Sequence, residues 1–541
     1  MPWTTPCRAV AMSFLSLCFL GAHSQTDTAN QPQDAMPSAQ TLRTNTRLVV
    51  VDVVATDSKG QPVPDLKASD FTVLEDGKPQ KISGFNFEHS GGNLTQTAQI
   101  QLPPSVVTNA PKFQSNSLNV ILFDVANGDF TEHVYARDQL LKFLNGAALD
   151  RPVAIFALQA QLKLLHDFST DNKSLSAAVA KYRPPAKLNN SESIESRASA
   201  FSTRGDYHTS ERDIENTLNQ LNVLAKVLAG YPGRKNLIWL SESFPLTLFP
   251  ESVGQLNMGQ QDLRNAATPG TSHNIVSSSL FKTYAALIKK VSDSLMAAQV
   301  AVYPVDAGAV GKDDHLASQH TMDNMAESTG GKSFKNSNDL VLGLRSGIED
   351  GSTYYTLTYY PENKNWDGQF RRIQVKSDRS NMSLRYREGY YAVDPEKITK
   401  EDSDAVAENF SRLLELDAPA ATQIVFQAQV LPPSEKSKKV VVTFHIDPRT
   451  LAFEKKDGGM EFARLSCTAW AYGKDKDKPT MASKTVSATL KASEYQQVLQ
   501  QRFLPCDSQL ELKPGTYALR MGVLDRATNK IGTASAQVVV P

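Results

Sequence analysis

The sequence predicts an α/β domain, built on a mainly parallel sheet with helices on both faces and flanked by β-sandwich regions. Three observations predict it. Between residues 118 and 350 short, nearly continuous apolar runs alternate with segments of helical period, as expected for parallel strands buried on both faces and joined by helical crossovers. On either side of that stretch the apolar period is two, the mark of half-buried strands. Turn dipeptides such as Asp76-Gly77 and Asp367-Gly368 punctuate those flanks.

Length and composition bound the reading. A chain of 541 residues has room for two to four domains, each with a core of its own. Lys plus Arg (57) balances Asp plus Glu (57), so no bulk field draws the chain to nucleic acid or to an acidic membrane surface. Residues 1–24 read as an export signal: Arg8 gives a positive start, residues 9–21 a short apolar run, and Ala22, His23 and Ser24 a small-x-small cleavage site. Residues 25–44 are polar and read as a disordered linker. No later segment reaches about 18 apolar residues, so no membrane span is expected. Removal of the signal takes Cys7 and Cys18 with it and leaves Cys467 and Cys506. In an exported chain such a pair reads as a disulfide, with two unrelated buried thiols as the alternative.

The elements follow in order. Residues 45–90 hold N-terminal strands: an apolar run over 48–57, a turn through Gly60, Pro62 and Pro64, a second strand and tight turn over 70–80, and a third strand over 82–87. A polar stretch, 89–116, reads as a linker. The α/β domain spans 112–350, with strands expected at 118–124, 152–158, 162–168, 235–241 and 299–306 and a short last one at 332–335. Helices are expected at 132–145, 172–181, 211–229, 278–298, 316–328 and 338–348. In the third, Ile214, Leu218, Leu221, Leu224, Val227 and Leu228 recur at helical spacing and mark a core face. Two insertions, 183–208 and 245–273, interrupt the alternation near the rim where an open α/β sheet keeps its ligand site.

After 350 the period returns to two. Strands are expected at 354–361, 370–376 and 382–387, and the unit 351–392 reads as pairing with the N-terminal β unit to make one sandwich. A helical connector occupies 393–418. Residues 419–541, with both remaining cysteines, read as a second, C-terminal β sandwich.

Several segments together carry a resemblance: the exported start, residues 70–77 (ending Glu75, Asp76, Gly77), 233–241 (Gly233, Arg234, Lys235 through Trp239 to Ser241), 302–306 (ending Pro304, Val305, Asp306), 326–331 (ending Gly330, Gly331) and 386–390 (Tyr386, Arg387, Glu388, Gly389, Tyr390). As an ordered set they resemble the von Willebrand factor A-related proteins of the type common in Acidobacteria, over residues 45 to 392. The resemblance implies a Rossmann-like domain with a metal-ion-dependent adhesion site, in which Asp-x-Ser-x-Ser at the end of the first strand, a loop Thr and a further Asp hold Mg²⁺ through hard oxygens. Asp124 matches the first position, but Ala126 and Gly128 stand where the two serines belong. Ser241, Glu242 and Ser243 replace Thr-Asp-Gly, and only Thr203 or Thr209 is on offer for the loop threonine. The site is degenerate, and two readings of it stand. In one, Asp124 bonds loop amides or caps the next helix and no cofactor is held. In the other, Asp124, Asn127, Asp129 and Glu242 rebuild an oxygen site for Mg²⁺ or Ca²⁺.

Catalysis is not expected. The chain lacks a Gly-x-Ser-x-Gly elbow, a His-Glu-x-x-His pair and a phosphate-binding glycine loop. His315 and His320, near Asp313 and Asp314, do not share a helical face. Ser241 has only His166 and His133 as conceivable partners. Arg204, Gly205 and Asp206 spell an integrin-recognition tripeptide that chance explains, and the aromatic pairs Tyr354-Tyr355 and Tyr390-Tyr391 read as sheet packing with an outward ring available to a glycan. The sequence thus points to a secreted or periplasmic, non-catalytic binding protein whose rim (Asp124, Asn127, Asp129, Ser241, Glu242) meets another protein or peptide. A structural envelope scaffold is the alternative, and a hydrolase a more distant one.

Overall fold

The computed structural model describes residues 48–89, 95–96, 102–111, 113–114, 117–127, 130–146, 149–183, 211–241, 287–307, 315–335, 340–393, 400–434, 438–456, 459–474 and 478–541. The segments read as an export signal (1–24) and a linker (25–44), the second insertion and all but Arg183 of the first lie outside them. So do Thr203, Thr209, the Arg204-Gly205-Asp206 tripeptide, Asp129, Glu242, Ser243, Asp313, Asp314 and the side chains of His315 and His320.

The first strands are β1 (Val49–Asp57), β2 (Phe71–Glu75), β3 (Lys78–Gln80) and β4 (Ile82–His89). The stretch 89–116, read as linker, instead carries three short strands: β5 (Thr95–Gln96) pairs with β7 (Phe113–Gln114), and β6 (Val106–Thr108) joins a distant sheet. Their backbone groups find partners that a polar composition does not reveal.

The α/β unit follows: β8 (Ser117–Asp124), α1 (Phe130–Gly146), β9 (Val153–Leu158), β10 (Lys163–Ser169), α2 (Asn172–Lys181), α3 (Glu211–Leu228), β11 (Arg234–Ser241), helical residues 287–297, β12 (Val300–Asp306), α4 (His315–Thr329) and α5 (Leu340–Asp350). Its sheet runs β10-β9-β8-β11-β12, and β9, β8, β11 and β12 are mutually parallel. The fifth strand departs from that pattern. β10 lies antiparallel to β9, because residues 159–162 are too few for a crossover and allow only a hairpin. The short strand expected at 332–335 is reduced to one parallel bridge, Val305 to Phe334.

Period-two alternation on the strands separates two cores. Val120 and Leu122 of β8 and Leu237 and Trp239 of β11 pack with α3 and with Ile288, Val291 and Leu295. Ile121, Phe123, Ile238 and Leu240 point the other way, onto α1, α2 and α5. Helices therefore cover both faces. Gly330 and Gly331, just after α4, are needed where they stand: Gly330 has φ +76°, and a Cβ on Gly331 would overlap the Val302 carbonyl oxygen.

The chain then returns to its beginning. Strands β13 (Thr353–Tyr359), β14 (Phe370–Ser377), β15 (Met382–Arg385) and β16 (Gly389–Tyr391) form two four-stranded sheets with the first four strands, in the orders β15-β1-β13-β4 and β16-β14-β2-β3. The α/β unit is thus inserted into a sandwich made by both flanks. Inside that sandwich Arg371 and Glu75 pair at 3.3 Å with both side chains only 3% exposed, and the hydroxyls of Tyr359 and Tyr390 donate to Glu75 at 2.8 and 2.9 Å.

After α6 (Lys400–Leu413) come β17 (Phe426–Leu431), β18 (Val440–Ile446), β19 (Glu454–Lys456), β20 (Met460–Tyr472), β21 (Thr480–Leu490), α7 (Ala492–Gln501), β22 (Leu504–Leu510), β23 (Gly515–Asp525) and β24 (Ile531–Val540). They form a second sandwich with a separate core. Its first sheet is β22-β18-β17-β6, so the connection ahead of the α/β unit supplies an edge strand to a C-terminal sheet. Asn109 secures it, donating to the carbonyls of Ala421 and Ile424 at 2.8 Å and accepting from the Phe426 amide at 2.9 Å. A disulfide joins Cys467 on β20 to Cys506 on β22 and so ties the two sheets. Among the described residues no helix is long and apolar enough to cross a membrane.

Candidate functional site

The strand order reverses between β8 and β11, and in an open α/β sheet a ligand crevice lies beyond the carboxyl ends of the strands at such a reversal. Asp124 and Ser241 end those two strands. Because Phe123 stands opposite Leu240 in parallel register, the next residue of each strand falls side by side. Residues 120, 122 and 124 share one face with 237, 239 and 241, so Asp124, Trp239 and Ser241 converge on the α3 side.

Asp124 is 1% exposed and its carboxylate is fully occupied. Oδ1 accepts the backbone amides of Ala126 (3.0 Å) and Asn127 (3.1 Å). Oδ2 accepts three side-chain donors: the Asn127 amide at 3.0 Å, the Trp239 indole N–H at 3.1 Å and the Ser241 hydroxyl at 2.8 Å. Burial pushes this carboxyl above the usual carboxylate range, against the pull of the bonds from Asn127, Ser241 and Trp239. Asn127 continues the network to Thr217 Oγ1 on α3 at 3.1 Å, and its carbonyl lies 3.3 Å from Nε2 of His133.

The donor set bears directly on the cation that the resemblance implies. Mg²⁺ and Ca²⁺ require lone pairs from hard oxygens. Two of the three side-chain groups around Oδ2 are N–H donors with no lone pair to give. Asn127 Oδ1 is the one buried oxygen here without a hydrogen bond, and it cannot trade places with its nitrogen without facing Asp124 as acceptor to acceptor. Among the described residues no three His, Cys, Asp or Glu side chains gather as ligands. The described groups around Asp124 do not fit the cation.

Of the five residues expected at the rim, the structure brings Asp124, Asn127 and Ser241 together, all 3% exposed or less. Satisfying five donors encloses the carboxylate, and these three side chains hold the ends of β8 and β11 and the turn after β8. Asp129 and Glu242 lie outside the described residues. His166, proposed as a partner of Ser241, sits on β10, three strands from β11 and so about 14 Å away at the usual strand spacing. Trp239 and Thr217 belong to the site and were missed. The parity of 237, 239 and 241 is the signal that places Trp239; nothing in the sequence marks Thr217.

No family model and no curated protein matches this chain. Solved structures do. They include a von Willebrand factor type A protein from Catenulispora acidiphila, 10% identical over 63% of this chain and 77% of that one, with a TM-score of 0.25. An aerotolerance-related membrane protein from Bacteroides fragilis is 9% identical over 43% and 98%, with a TM-score of 0.23. The three N-terminal domains of the type V pili tip protein Mfa5 from Porphyromonas gingivalis are 8% identical over 92% and 77%, with a TM-score of 0.25. At such TM-scores these likenesses carry no functional argument.

Proposed function

We propose that this chain is a secreted or periplasmic, non-catalytic binding protein. In this reading its Rossmann-like unit is a von Willebrand factor A-type domain whose metal site has become a hydrogen-bonded anchor, and the loops after β8 and β11 engage another protein or peptide. The observation that carries the reading is the Trp239 indole donating to Asp124 Oδ2, where a cation would need an open lone pair. An enclosed carboxylate with every lone pair engaged is a poor general base, and Ser241 at 1% exposure is a poor nucleophile, which favours binding over hydrolysis. The Cys467–Cys506 disulfide supports an oxidising compartment.

Titration calorimetry of the full chain with Mg²⁺, Ca²⁺ and Mn²⁺ is expected to give no binding heat. Capture of partners from an envelope extract is expected to be insensitive to EDTA and to be lost in the doubly substituted Asp129→Lys, Glu242→Lys chain. Equal recovery by that variant removes the rim from the reading. It would leave the scaffold reading, which the insertion of the α/β unit into a sandwich favours.

A further inference from the structure

At the opposite end of the sheet, where the strands begin, the α/β unit meets the flank-built sandwich. A cavity of about 20 Å³ lies there, lined among others by Asp52, Arg234, Met296, Gln299 and Arg387. That is room for one water-sized species, since a single such sphere needs about 10–15 Å³.

The charge around this cavity does not balance. Asp52 is the one carboxylate lining it, and both its oxygens are engaged by neutral groups, Gln299 Nε2 at 3.1 Å and Thr356 Oγ1 at 2.8 Å. Facing it are two arginines. Arg234 is 2% exposed and bonds Asn236, Tyr303 and the Gly330 carbonyl, all of them uncharged, through Nε and Nη2; its Nη1 has no partner among the described residues. Among the described residues Arg387 reaches the Met296 carbonyl, through Nη1 at 3.5 Å, and its buried Nε finds no acceptor. Lys235, 1% exposed beside them, donates to the Gly233 carbonyl at 2.8 Å. The next carboxylate, Asp350, is already paired with Arg385.

An unpaired buried charge is costly, and a lysine escapes the cost by releasing its proton whereas an arginine does not. Two arginines against one carboxylate leave an excess of one positive charge, with the buried Nε–H of Arg387 unsatisfied. We propose that this seam binds one monovalent, halide-sized anion, held by Nε of Arg387 and by the charge of Arg234. The anion satisfies the orphaned Nε–H, balances the excess and fastens the inserted α/β unit to the sandwich. Two negative charges would exceed the imbalance.

The test compares thermal unfolding of the full chain in sodium chloride and in sodium gluconate at equal ionic strength, together with bromine anomalous scattering from crystals grown in sodium bromide. A saturable rise in midpoint with chloride alone is expected, with a bromide peak within hydrogen-bond reach of Arg387. Arg387→Met abolishes the chloride-specific rise. Asp52→Asn removes the like charge and lowers the half-saturating chloride concentration about ten-fold; it also decides the matter if Arg387→Met does not fold. Equal midpoints in the two salts, a water in place of bromide, or an unchanged chloride response in Asp52→Asn overturns the proposal.

Discussion

Asp124 and Lys235 are buried ionisable groups at opposite ends of the same sheet, and they meet burial in opposite ways. Asp124 gathers five donors, and truncation removes the acceptor they share, although the Asn127 amide keeps Thr217. With each unsatisfied buried donor costing about 1–3 kcal/mol and some relaxation, Asp124→Ala should lose about 4 kcal/mol of stability by urea titration. A loss below about 1 kcal/mol would reject the anchor. Lys235 has one hydrogen bond, and burial pushes its amine from 10.5 down to about 7. The folded chain therefore gives up this proton more readily than the unfolded chain. Its protonated form opposes folding below about pH 7, and that penalty fades as pH rises to 10.5. Lys235→Met should accordingly raise stability at pH 6 by about 3 kcal/mol and flatten the rise between pH 7 and 10.5. A parental slope in that window would mean that another group titrates there.

Single elements show how the C-terminal sandwich is held. The disulfide spans 39 residues of sequence and bridges two sheets, so its reduction should cost about 4 kcal/mol by the chain-entropy relation. The loss should be read as faster amide exchange on β18, β20 and β22, with the Trp239 signal in the α/β core moving less. Strand β6 depends on Asn109, which makes three hydrogen bonds to the connection ahead of β17 and to the start of β17. Asn109→Ala should release β6, and faster amide exchange at Val107, the β6 amide that faces Ala428 of β17, would report it; protection equal to the parent would show that strand pairing alone suffices. Element positions were legible where the local pattern is strong. The strand expected at 118–124 is Ser117–Asp124, and the helix expected at 172–181 is Asn172–Lys181. Strand β6 was not legible, because three residues of moderate apolarity carry no period. The antiparallel sense of β10 is legible from its short connection to β9.

At the scale of the molecule, one continuous core joins the flank-built sandwich to the α3 side of the α/β unit, while the C-terminal sandwich keeps a core of its own. A chain ending at residue 350 would lack β13 to β16 and leave β1, β2 and β4 without their main partners. Such a chain should lose the cooperative unfolding transition of the intact protein in circular dichroism, and a retained transition would show that the α/β unit folds alone.

The sequence by itself determined what depends on neighbouring residues. Strand and helix periods, and the lack of a side-chain oxygen at Ala126 and Gly128, lie within short windows. Tertiary structure alone decided what surrounds Asp124. Trp239 and Ser241 are 115 and 117 residues away in sequence, and only the parallel register of β8 with β11 brings them to its carboxylate. It likewise decided that Arg234, Arg387 and Asp52, from three distant segments, share one seam. Local sequence sets which face a side chain takes, but its partner is set by chain packing over distances that no local pattern records.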